Sequence, residues 1–266
     1  MIHYKSKEEI ELIRESSLLV SKTLAEVAKH IRPGIKTIEL DKIAETFIRD
    51  HNAVPGFKGY QGFPATLCIS PNEVIVHGIP GERELVEGDI VAIDCGVLKN
   101  GFYGDSSYTF VIGDIDARIK KLLKITYRCL FEGINKAVEG NTIGDISATI
   151  QGIAENAGFS VVRDLVGHGL GKKLHEPPEV PNFGKDGKGI KLQNGLVIAI
   201  EPMINLGRRN IVQEKDKWTI RTADRKQSGH YEHTIAVNGD KVDILSTFDY
   251  IEESLKNNIN NLVIIK

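Results

Sequence analysis

The chain has 266 residues, 41% of them hydrophobic and 26% charged, with a formal net charge of −2. That size and balance suit one large α/β domain or two small ones. A charge so near neutral offers no basic field for nucleic acid or a membrane surface. The cysteines Cys68, Cys95 and Cys129 form neither a C-x-x-C pair nor a disulfide framework, which suits a reducing cytoplasm. No apolar run reaches signal-peptide or membrane-spanning length.

In chain order, Ser6-Lys7-Glu8-Glu9 has the form of a capping box. Apolar residues then recur at helical intervals from Ile10 to Ile31, and Pro33-Gly34 should stop that helix. Residues 37–51 read as a second amphipathic helix, and residues 65–79 as extended. The run DIVAIDC over 89–95 is short, β-branched and continuously apolar, as a strand buried on both faces is. Asn100-Gly101 is a type I′ hairpin signal. Helices are expected over 115–138 and 146–156, and a second buried strand in LVIAIE over 196–201. The asparagine- and isoleucine-rich stretch 249–266 is either a terminal helix and strand packed on the body or an association surface.

The two buried strands share a pattern. Leu85-x-x-Gly88-x5-Asp94 matches Leu192-x-x-Gly195-x5-Glu201 at one constant offset, and each copy ends in a carboxylate. Gly34-Ile35-Lys36-Thr37-Ile38 and Gly140-Asn141-Thr142-Ile143 open the preceding helices in a similar way. Two unrelated βα units could look alike to this extent. The alternative is an internal duplication, with a site at the seam fed by strand ends from both halves.

An ionised carboxylate at the end of a buried strand needs a partner, because burying it bare costs several kcal/mol. If Asn100-Gly101 is the turn, Asp94 faces Ser107 across the ladder and Asp105 is its diagonal neighbour on the same face. Two carboxylates on one hairpin face favour a cation. His168 lies in Gly167-His168-Gly169-Leu170-Gly171, where the glycines should permit close backbone approach and unusual dihedrals. Glu201 ends the second strand before Pro202. Glu232 falls in an alternating stretch with His230 and Thr234 on its own face. Four carboxylates and one histidine form a hard ligand set suited to two divalent ions rather than one tetrahedral zinc.

These residues, in this order, closely resemble the type I methionine aminopeptidases of the pita-bread fold. The resemblance covers roughly residues 5–250. It is carried by Asn72-Glu73-Val74-Ile75-Val76-His77-Gly78-Ile79-Pro80, Asp94-x-Gly96, Gly104-Asp105, the Gly167–Gly171 motif, His175-Glu176-x-Pro178, Glu201-Pro202 and Glu232-His233-Thr234. It implies an α/β (α+β) fold of two pseudo-twofold-related halves, with an antiparallel-rich sheet covered by helices. The halves are expected at about 10–120 and 121–245 of one catalytic domain over 1–250, with a C-terminal extension over 251–266.

The resemblance further implies removal of the N-terminal initiator methionine by a hydroxide held between two metal ions, which attacks the scissile carbonyl. Asp94 would chelate one metal, Asp105 and Glu232 bridge both, and His168 and Glu201 complete the second. Glu201 would also act as general base, and His77 and His175 would hydrogen-bond the substrate amide and the tetrahedral intermediate. Tyr60, Phe63, Cys68 and Trp218 would line the methionine pocket. Phe63 stands where many relatives carry tyrosine, and Leu174 where phenylalanine is common. The implied cofactors are two ions of cobalt, manganese, iron or zinc. The implied setting is a cytoplasmic monomer acting on nascent chains near the ribosome, without nucleic-acid specificity or membrane attachment. Two other readings are a prolidase-like Xaa-Pro peptidase, whose relatives usually carry an additional N-terminal domain, and a non-catalytic pita-bread binding protein, which typically lacks metal ligands.

Overall fold

In a computed structural model of the chain, residues 2–256 are described. Helix α1 spans Lys7–Ala28 and starts on the expected capping box. The Ser6 hydroxyl accepts the Glu9 N–H, and the Glu9 carboxylate accepts the Ser6 N–H. The helix ends at Ala28, well before Pro33; Ile31 is nevertheless fully buried. Helix α2 (Thr37–Asp50) and helix α3 (Ala117–Asn135) fall where the periodicity places them. Helix α4 (Ile143–Asn156) begins earlier than expected, because Thr142 and Asp145 form a second capping box. Helix α5 (Asp249–Lys256) packs against α1 with Ile251 and Leu255 buried. The expected strand beyond it lies outside the described residues.

Two antiparallel sheets carry the architecture. In the first, the strand Ile90–Lys99 pairs with Phe102–Val111 on one edge, and with Leu67–Pro71 and Val54–Pro55 on the other. Asn100 (φ 52) and Gly101 (φ 81) make the turn, and Lys99 faces Phe102 across it. The second sheet runs in the order Lys241–Ile244, His233–Asn238, Val197–Ile200, Val166–Gly169, Glu176–Pro181. The apolar part of each central strand is continuously buried, as a strand covered on both faces must be.

The repeat seen in the sequence recurs in the backbone. Isolated antiparallel bridges join Lys36 to Glu84 in the first copy and Thr142 to Lys191 in the second. Leu85 and Leu192, both buried, donate their N–H groups to Ile35 O and Asn141 O, at 2.9 and 2.8 Å. Gly88 (φ 89) and Gly195 (φ 83) take the same left-handed turn into the strand. Two merely similar βα units would have no reason to share these long-range bonds. The sheets meet where the free edge of Phe102–Val111 receives residues 230–234. Glu232 N–H donates to Ser107 O (2.9 Å), Ser106 Oγ to Glu232 O (2.7 Å), and Thr234 Oγ1 to Asp105 O (2.8 Å). No helix among the described residues is long and apolar enough to cross a membrane.

Candidate metal centre

The seam between the sheets holds the candidate site. In the first sheet Asp94 is opposite Ser107 and Asp105 opposite Gly96, so both carboxylates project from one hairpin face as the register predicted. In the second, Glu201 follows directly on Val197–Ile200 and His168 comes from Val166–Gly169. Glu232 corrects one expectation. It does not lie within a continuous alternating strand: Ser228–His230 and His233–Asn238 are separate, and Tyr231-Glu232 is the break between them. The break lets Glu232 bond the first sheet's edge through its backbone while its side chain turns inward.

Asp105, His168 and Glu232 each offer a ligand atom within 4.8 Å of the others. His168 Nε2 lies 3.9 Å from Asp105 Oδ2 and 3.8 Å from Glu201 Oε1. The Asp94 and Asp105 carboxylates are close enough that each perturbs the other's ionisation. All five proposed ligands line one cavity of about 120 Å³. Its wall includes Tyr60, Phe63, Cys68, Leu174 and Trp218, which pack as a small apolar cluster. The Phe63 and Trp218 rings meet edge to face at 5.2 Å.

His77 and His175 also line this cavity. His77 has a left-handed backbone (φ 58), next to Gly78, where a Cβ would come within 2.1 Å of Ile69 O. Such strain in a non-glycine residue is maintained only where its surroundings over-determine it. His175 packs on His168 with ring centroids 4.2 Å apart, and its Nδ1 is 2.7 Å from Tyr60 Oη.

The glycines around His168 serve close approach alone; none has a positive φ. A Cβ on Gly167 would lie 2.4 Å from Ala199 O, and one on Gly169 2.4 Å from Pro177 O. The unusual dihedrals expected there are absent, and the tight contact of neighbouring strands is the reason for the motif.

The electrostatics fit bound cations. Asp94 Oδ1, Asp105 Oδ1 and Glu232 Oε1 are buried without a hydrogen-bond partner among the described residues. Burial pushes Glu201 up to about 8 and Asp94 up to about 7. Asp105 and Glu232 are driven well above the usual carboxylate range, first by burial and then by their acidic neighbours. Burial holds His168 down at about 3 and His77 at about 4, so both imidazoles are neutral at pH 7. Several orphaned carboxylate oxygens around a neutral imidazole are unfavourable alone and favourable around a divalent cation. His168 Nδ1 is 2.9 Å from Gly169 O, which can only accept, so the proton sits on Nδ1 and Nε2 is bare for a metal.

Phe57, Gln61 and Val76 in the cavity wall, and His230 beside Glu201, are site residues that the sequence motifs do not mark. Only His230 carried a signal, its place on the same face as Glu232.

An antiparallel two-sheet body with an acidic, histidine-bearing seam defines a metallopeptidase of duplicated architecture. The chain belongs to metallopeptidase family M24, whose sequence profile matches residues 11–239, and within it to the methionine aminopeptidases. It is 52% identical over 244 residues to the methionine aminopeptidase of Clostridium perfringens, covering 91% of this chain and 98% of the relative. The crystal structure of methionine aminopeptidase from Rickettsia prowazekii matches with a TM-score of 0.91 at 38% identity, covering 93% of this chain and all of that one. The prolidase from Pyrococcus furiosus matches at 0.73 and 21% identity over 65% of its own length, a likeness of fold alone.

Proposed function

We infer that the chain is a metal-dependent aminopeptidase that removes the N-terminal methionine from proteins and peptides. The observation that carries this reading is the convergence of Asp94, Asp105, His168, Glu201 and Glu232 on one cavity, beside an apolar pocket. Asp94 would hold one divalent ion, Asp105 and Glu232 both, and His168 and Glu201 the second. Cobalt, manganese, iron and zinc all suit such donors. When bound, the ions supply Lewis-acid polarisation of the scissile carbonyl and lower the pKa of water.

The protein's own side chains do the rest. Glu201, kept ionised by the cation beside it, takes the proton of the attacking water and passes it to the departing amine. His77 and His175 are proposed to donate hydrogen bonds to the substrate amide and to the oxygen on which negative charge develops. Tyr60, Phe63, Cys68 and Trp218 receive the methionine side chain, with Leu174 completing the wall. A soft, mostly apolar pocket of this kind suits an unbranched thioether.

The catalytic body is taken as residues 1–250, with halves at about 10–120 and 121–245 and an extension over 251–266. The proposed setting is a cytoplasmic monomer that meets nascent chains near the ribosome. Glu201→Gln should reduce methionine release from a Met-Ala peptide by about 10²- to 10⁴-fold, with the circular dichroism spectrum unchanged. Full activity in that variant would remove Glu201 from its role as base. Release of proline-adjacent residues but no methionine by the metal-loaded protein would replace the substrate assignment with the prolidase one.

A further inference from the structure

Glu201 lies between two imidazoles. His168 Nε2 is 3.8 Å from Oε1, and His230 Nε2 is 3.7 Å from Oε2. His230 is 1% exposed, and its Nε2 is buried with no hydrogen-bond partner among the described residues. Its backbone is clamped by Thr109, whose hydroxyl donates to His230 O (2.5 Å) and accepts the His230 N–H (3.2 Å). The ring therefore presents Nε2 to Glu201 from a fixed base.

The two histidines differ in what their Nδ1 atoms meet. At His168 the neighbour is a carbonyl, Gly169 O, which cannot donate. At His230 it is a hydroxyl, Ser107 Oγ, at 3.2 Å. That hydroxyl has two acceptors in reach, His230 Nδ1 and Ile93 O at 3.3 Å. Ile93 faces Tyr108 in the ladder, an even number of pairs from the closing pair Lys99–Phe102. It therefore falls in a hydrogen-bonded position, and its carbonyl already accepts the Tyr108 N–H. The Ser107 proton is best placed on His230 Nδ1, which leaves the ring proton on Nε2. With a cation holding Glu201 ionised, a bare Nε2 would instead set a lone pair against the carboxylate.

We propose that His230 is a positioning residue for the metal centre: its Nε2–H closes on Glu201 Oε2 and fixes the rotation of that carboxylate, leaving Oε1 turned toward His168. The two imidazoles thus flank Glu201 in opposite tautomers, one bare toward a metal and one protonated toward the carboxylate. This rests on Glu201 being a ligand and base, as inferred above. Outer partners of this kind typically change metal affinity or activity about 10- to 100-fold when removed.

The test uses the full chain loaded with zinc for spectroscopy and with manganese for kinetics. In ¹⁵N-histidine-labelled protein, His230 should show a protonated Nε2 and a bare Nδ1, and His168 the reverse. His230→Leu should lower kcat on a Met-Ala-Ser peptide about 10- to 100-fold with KM little changed, and calorimetry should still find the wild-type number of bound ions. His230→Gln, whose amide N–H can reach the same oxygen, should restore most of the loss. A metal-bound or bare Nε2 on His230, or a Leu variant with wild-type kcat, overturns the proposal. If His230→Leu fails to fold, the wild-type tautomer decides alone. If the wild-type protein releases no methionine with any of the metals, the inferred activity fails, and the tautomer still tests His230.

Discussion

The two halves share a frame and differ in how they deliver side chains to the seam. In the first, one long hairpin carries both Asp94 and Asp105, so a single register fixes their relation. In the second, the strand equivalent to Ile90–Lys99 stops after Val197–Ile200, and His168, Glu201 and Glu232 come from three separate pieces of chain. Duplication thus supplies the scaffold twice, while the site is built asymmetrically: a rigid acidic pair on one side, and an assembled triplet on the other. The second side therefore depends on close strand packing, which is why glycines crowd on both sides of His168.

The largest expected effect comes from the shared hairpin. Asp105→Asn should remove the bridge between the two proposed metal positions and take methionine release below detection. It should also make the metal-free protein more stable, because burial and the neighbouring Asp94 charge disfavour the ionised Asp105. Thermal unfolding with and without manganese checks both arms: a higher Tm without metal and little further rise with it.

Next is the packing on the other side. Gly167→Ala places a Cβ 2.4 Å from Ala199 O and 3.3 Å from Glu201 Cγ. It should cost about 1–3 kcal/mol and also lower activity, since the displaced strand carries His168. Urea unfolding together with a peptide assay reads the two losses. The paired turns give a sharper contrast. Gly88 and Gly195 have nearly the same φ, so alanine at either meets left-handed strain of about 1–2 kcal/mol. At Gly195 the new Cβ would also lie 2.7 Å from Lys5 O, whereas at Gly88 its nearest neighbour is 3.8 Å away. Gly195→Ala should therefore be the more damaging of the pair; equal losses would mean the clash relaxes freely.

A pH dependence separates the two sides of the seam no further but tests their shared burial. Asp94 and Glu201 have folded-state pKa values raised to about 7 and about 8, above their ordinary values of 3.8 and 4.5. The folded, metal-free protein thus holds protons that the unfolded chain has released, and its stability falls as pH rises from about 4 to about 8. Cations replace those protons, so the rise in Tm on adding manganese should be larger at pH 8 than at pH 6. Differential scanning calorimetry at the two values decides it, and a rise independent of pH would contradict the burial of these carboxylates.

Much of this was legible in the sequence because it depends on short-range rules. The capping box at Ser6, the Asn100-Gly101 turn and the period-two register were enough to put Asp94 and Asp105 on one face. The matched strands, Leu85 to Asp94 and Leu192 to Glu201, foreshadowed the bridges at Lys36 and Thr142. What stayed hidden depends on tertiary contact. Alternation suggested an unbroken strand through Glu232, but the break there exists because that backbone bonds the other sheet's edge through Ser106 and Ser107. The two imidazoles beside Glu201 come from opposite directions along the chain, His168 from before it and His230 from after it. No local pattern records that they face its two oxygens.

The seam between the halves is proposed to hold two ions. Anomalous diffraction from crystals grown with manganese tests it directly. Two peaks are expected in the cavity, both beside Asp105 and Glu232, one also beside Asp94 and the other also beside His168 and Glu201. A single peak at full occupancy with saturating manganese, or ions bound only outside the cavity, would contradict it.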